Sequence, residues 1–141
     1  MAATLHRSRA LLLHPFHAVI LASTIPLFLG AVLADWAYAS TYHVQWTNFA
    51  SWLLAGGMVF TGITLLLALI GLIRGPRDGH QVLYFLVVLA TFIIGFINSL
   101  VHAKDAWAAM PSGLWLSVIV TLLACIATWI GFSGRRLGGA K

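Results

Sequence analysis

Apolar residues dominate four stretches of the chain, 16–39, 49–73, 82–101 and 114–132, and polar residues collect in the segments between them. A helix rises about 1.5 Å per residue, so roughly 20 residues cross the hydrocarbon of a bilayer, and every stretch reaches that length. Their only formally charged residue is Asp35, near the far end of the first. The connectors "STYHVQWTN", "RGPRDGH" and "HAKDAWAAMPSG" are short and carry turn formers, which makes successive helices antiparallel neighbours. The pattern predicts an all-α, integral membrane, antiparallel four-helix bundle occupying 1–141 as one domain.

Small and polar residues within the spans predict how the helices meet, because close approach and interhelical hydrogen bonds drive association in lipid. In the first helix His14, Ala18, Ala22, Pro26, Gly30 and Ala34 recur every four residues and are expected to form the packing face. The second offers Gly57, Thr61, Thr64, Ala68 and Gly71, and the third Thr91, Gly95, Asn98 and His102. The fourth offers Ser117, Thr121, Ala124, Thr128 and Gly131. Pro26 cannot donate to the carbonyl of Ala22, and Ser23 and Thr24 are expected to satisfy freed backbone groups nearby. Asn98 is expected to bond across to another helix.

Composition changes the picture by removing alternatives. With 141 residues, 61% of them hydrophobic and 8% charged, and a mean hydropathy of +0.97, a soluble fold could not hide this much apolar surface. The net charge of +5 does not indicate nucleic acid, since the basic residues fall in small groups between apolar runs. Arg7, Arg9, Arg74, Arg77, Arg135, Arg136 and Lys141 belong to one side and Lys104 to the other. The excess of basic loops on the cytoplasmic side puts both termini there, in a bacterial inner membrane. Trp36, Trp46, Trp52, Trp107 and Trp115 gather at the opposite end, the expected outer interface. Ala37 and Ala39 would satisfy a signal-peptidase rule, but the first apolar run exceeds the usual h-region of about 7–15 residues, so the helix is expected to be retained. Cys125 is the single cysteine and has no partner for an intrachain disulfide.

Candidate chemistry rests on the histidines. His14, His17 and His80 fall at the basic end, and His43 and His102 at the other. Axial ligation of a b-type haem requires two imidazoles facing one another at similar depth, with basic groups near the propionates. His17 with His80 meets the depth requirement, and Arg74 and Arg77 are candidate propionate partners. His43 with His102 is a weaker pair because His43 lies in a connector. A divalent metal is the runner-up: His14 and His17 share a helix face, His80 would add a third imidazole, and Asp78 is close in sequence. The plain reading is that these are interfacial side chains without a ligand. Carboxylates are scarce, Asp35, Asp78 and Asp105 only, which argues against a carboxylate relay. No Ser/His/Asp set is expected at matching depth, so hydrolytic chemistry is not predicted.

Three segments, "HPFHAVILASTIPLFLGAVLADW", "ASWLLAGGMVFTGITLLLALIGLI" and "INSLVHAKDAWAAMPSGLWLSVIVTLLACIATWIGFSG", resemble the bacterial membrane family called domain of unknown function 2231. The resemblance runs from about Leu11 to Gly134 and is carried by His14, Pro15, His17, Pro26, Asp35 and Gly131. The family often has Pro after the second histidine, where Ala18 stands here. Some members occur beside cytochrome-like domains, which implies a redox-linked, haem-binding role. Two other expectations stand beside it: a non-enzymatic assembly or accessory subunit, and an oligomeric permeation pathway for small solutes or ions. The partners expected are the lipid bilayer and either further copies of the chain or a redox protein.

Overall fold

The computed structural model describes the backbone of residues 13–139 and the side chains as far as 134. Arg7, Arg9 and Lys141 lie outside the described residues, as do the side chains of Arg135 and Arg136. The described residues form four long helices, α1 (Pro15–Thr41), α2 (Val44–Arg74), α3 (Gly79–His102) and α5 (Ser112–Gly139), with one short turn of helix, α4 (Ala106–Ala109), before the last. All four long helices contain segments apolar enough to cross a membrane. The described residues contain no strand.

The helices outrun the apolar stretches because their ends are capped. His14 Nδ1 accepts from the Phe16 backbone N–H at 3.2 Å, ahead of Pro15 in the first turn, where a missing N–H costs nothing. At the far end Ser40 and Thr41 bond back to the carbonyls of Trp36 and Ala37. Tyr42 then stops α1 in the left-handed region, φ 56°, and only Tyr42 and His43 separate α1 from α2. Asp78 Oδ1 accepts from the Gln81 N–H at 2.8 Å and caps α3. Each long helix packs chiefly against two others, α1 and α3 each lying against α2 and α5, so α1 and α3 sit diagonally.

One spacing organises the interior. On α1 the buried positions include His17, Leu21, Thr24, Phe28, Ala31 and Asp35, alternating steps of four and three. The same alternation runs through Ala50, Leu54, Gly57, Thr61, Thr64 and Ala68 on α2 and Tyr84, Val88, Thr91, Gly95, Asn98 and His102 on α3. A mean step of about 3.5 keeps a narrow seam facing its neighbours along the whole helix. The expected face of α1 is therefore corrected. At roughly 100° per residue, each four-residue step overshoots by about 40°, and five steps turn through about 200°. Accordingly His14 and Pro26 are exposed while Ala34 is buried.

Polar seam residues are satisfied mostly inside their own helices. Thr24, Thr61, Thr91 and Thr121 each donate to a carbonyl three or four residues back at 2.7 Å. Ser23 and Thr24 bond to Val19 and Leu21, not to Ala22, the carbonyl facing Pro26; α1 nonetheless continues through Pro26 unbroken. Where two helices come closest the sequence has glycine: a Cβ on Gly57 would lie 2.5 Å from Phe28 Cε1.

Candidate functional site: a buried aspartate and histidine pair

Asp35 on α1 is the only charged residue in the apolar stretches, and its carboxylate is fully buried. It lies about 9 Å, six residues, inside the end of its helix. The diagonal helix α3 ends at His102, whose Nε2 sits 2.8 Å from Asp35 Oδ1. Between them α5 contributes Ser117, whose hydroxyl donates to Asp35 Oδ2 at 2.6 Å. A Cβ on Gly113 would come within 2.8 Å of His102 Cε1, so the imidazole rests directly on the first turn of α5. Burying ionisable groups in this way is costly unless each lone pair and proton finds a partner. Here they do.

The second ring nitrogen decides what the pair holds. His102 Nδ1 lies 3.0 Å from the backbone carbonyl of Asn98, which only accepts, so this contact needs a proton on Nδ1. Nε2 faces a carboxylate oxygen, which needs a second proton on the ring or one on the acid. With both contacts made as donors, His102 and Asp35 share one proton beyond a neutral ring and a carboxylate; with Nδ1 an acceptor, Nε2–H alone donates to the carboxylate. The Asn98 amide favours the second, because only with its oxygen towards Ser117 are both of its ends satisfied. With its nitrogen towards Ser117 Oγ it donates there at 2.9 Å. Turned over, that nitrogen donates to His102 Nδ1 at 3.1 Å and to the Gly113 carbonyl at 3.3 Å, and its oxygen accepts from the Ser117 N–H. This second arrangement fits an imidazole with no proton on Nδ1. In both, Asn98 bonds across to α5, as expected.

The sequence reading that no Ser/His/Asp set shares one depth is corrected: Ser117, His102 and Asp35 meet. Their order is nevertheless wrong for hydrolysis. The serine hydroxyl faces the carboxylate, whereas a nucleophile needs the imidazole beside it to take its proton.

At the basic end, His17 on α1 bonds through Nε2 to the Tyr84 hydroxyl on α3 at 2.8 Å. Both line a cavity of about 190 Å³, with Asp78, His80 and Gln81 at its polar part and Ala68, Gly71 and Gly131 among its walls. Gln81 Oε1 is buried with no partner among the described residues. The structure thus brings His17 and His80 to one cavity. It does not bring His14 there: that residue is exposed and caps α1. Arg74 and Arg77 are exposed and do not line the cavity. Among the described residues, no group of three or more His, Cys, Asp or Glu side chains is placed to hold a metal ion, so the three-histidine set is not assembled. His43 is exposed at the start of α2, unlike buried His102.

A haem fits these residues poorly. His17 Nε2 is committed to Tyr84 and His102 Nε2 to Asp35. The cavity beside His17 and His80, about 190 Å³, is smaller than the roughly 300–1,000 Å³ of pockets for drug-sized ligands.

Sequence reasoning takes His102 as a ligand candidate, Asp35 as a family mark and Ser117 as a packing residue, and does not bring the three together. The available signal was a lone aspartate on the 3.5-residue seam of α1, at the same end of the bundle as the His102 terminus of α3. Tyr84 carried a similar signal, one turn into its helix on the same seam as His102.

No curated protein and no solved structure matches the chain. A family model described as a predicted membrane protein, DUF2231, matches residues 13–134, which includes Asp35, Asn98, His102 and Ser117. With its four apolar helices, the chain is a multi-pass membrane protein belonging to the DUF2231 family.

Proposed function

We propose that this protein is a non-enzymatic, proton-binding helix bundle of the bacterial inner membrane, with Asp35 and His102 holding one exchangeable proton and both termini cytoplasmic. The observation that supports the reading is the fully buried contact of His102 Nε2 with Asp35 Oδ1 at 2.8 Å. An ionisable residue inside a membrane bundle is a functional candidate by default. With the proton present the pair is neutral overall, and with it gone a buried negative charge remains. Asp35 and His102 are the titratable groups of the cluster, and α5 faces them with Ser117 and Gly113, which do not titrate. The short distance to the tryptophan-rich end suits exchange from that side. The orientation follows from the basic residues.

Infrared difference spectra of the protein in lipid, recorded across pH steps, test this. One carboxyl and one imidazole band are expected to change together, and Asp35→Asn and His102→Gln are each expected to remove that pair while the bands of Asp78, Asp105 and the other histidines remain. A wild-type spectrum without such a pair, or a pair that persists in either variant, would overturn the reading. A reporter at Lys141 reached from outside intact cells would overturn the orientation alone.

A further inference from the structure

Midway along the bundle, Thr24 of α1, Thr61 and Thr64 of α2 and Thr91 of α3 line a cavity of about 10 Å³ closed by Ala124 and Ala127 of α5. Three of these hydroxyls are accounted for: Thr24, Thr61 and Thr91 each donate to a carbonyl of their own helix. Each of those oxygens keeps an acceptor lone pair. Thr64 differs. It is 1% exposed, and its Oγ1 has no hydrogen-bond partner among the described residues, not even the carbonyl of Phe60 one turn back. A threonine in an apolar helix that forgoes this local bond leaves a donor unmet where an orphaned hydroxyl is costly.

We infer that this four-threonine cavity is a binding site for one water molecule. The inventory matches water: one free donor, on Thr64, and up to three free acceptors, on Thr24, Thr61 and Thr91. A single water accepts the first and donates to two of the others, within the two to four partners that buried waters take. The volume lies at the threshold for one water, about 10–15 Å³, and is too small for any larger solute. Apolar cavities of protein interiors stay dry, but this one is lined by threonines of three helices, one of them with an unpartnered buried hydroxyl. The inference holds whether or not Asp35 and His102 exchange a proton.

The test is infrared spectroscopy of the full chain in lipid, comparing H₂¹⁶O with H₂¹⁸O. A sharp O–H stretching band of an isolated buried water is expected to shift with the oxygen isotope. It is expected to vanish in Thr64→Val, which keeps shape and removes the donor, and to survive in Thr64→Ser. If Thr64→Val fails to assemble, Thr64→Ala, which also removes the donor, is expected to move the same band. Absence of an isotope-sensitive band in the wild-type protein overturns the inference. So does a band unchanged in Thr64→Val, or in Thr64→Ala where that variant replaces it. Asp35→Asn is expected to leave the band in place, so this inference and the proton reading fail separately.

Discussion

The two buried histidines of this bundle sit in opposite circumstances. His102, at the tryptophan-rich end, has both ring nitrogens engaged, a carboxylate on one and a carbonyl or amide on the other, with Ser117 and Asn98 completing the cluster. His17, at the basic end, has one cross-helix bond, to a tyrosine hydroxyl, and stands beside a cavity of about 190 Å³. The difference is in what a lost partner exposes. At His102 a missing group strands a charge inside packed helices, while at His17 it leaves a neutral ring next to space that solvent or a small ligand can occupy. The same residue type at seam positions of two different helices therefore sits in a closed polar cluster at one end and beside a cleft at the other.

Substitutions sharpen this contrast. Asp35→Ala is expected to have the largest effect, a loss of about 3–5 kcal/mol, because it leaves His102 buried without its counter-charge; unfolding in mixed micelles measures it. A cost below about 1 kcal/mol, the usual value of an exposed ion pair, would erase the distinction. Gly113→Ala comes next, at about 1–3 kcal/mol, since its Cβ would crowd the His102 ring and helices resist overpacking. The nitrogen chemical shifts of that ring are expected to move as well. Tyr84→Phe is expected to cost least, about 0.5–1.5 kcal/mol for one hydrogen bond, with His17 Nε2 compensated from the cavity. If Tyr84→Phe equals Asp35→Ala, the two ends are alike in kind and the comparison fails.

Much of the fold was legible from hydropathy. Four long apolar runs with short connectors leave few arrangements, and the packing residues of α3 were read correctly as Thr91, Gly95, Asn98 and His102 because their steps of four, three and four already follow the seam. On α1 the small residues at constant four-residue intervals misled, since small side chains there are scattered over a helix whose true inner face mixes His17, Leu21, Thr24, Phe28 and Asp35. All faces of a membrane helix are apolar, so hydropathy gives no amphipathic signal to choose between them.

The candidate site was half legible. His102 and Asn98 stood out by type, and Asp35 by its isolation, but histidines were paired by leaflet and by residue type. That rule selected His43, which is exposed, over Asp35, which is diagonal to His102 across the bundle. His14, grouped with His17 by sequence proximity, lies off the seam and serves as a helix cap.

Length, apolar content and connector brevity set the number of helices, their lengths and their alternating directions, because the bilayer and the backbone's need for internal hydrogen bonds allow little else. Which side chains meet was decided only when four helices closed around one axis. Contact between Asp35, His102 and Ser117 depends on the rotation and diagonal placement of three helices, and those are fixed by packing between segments far apart in the chain.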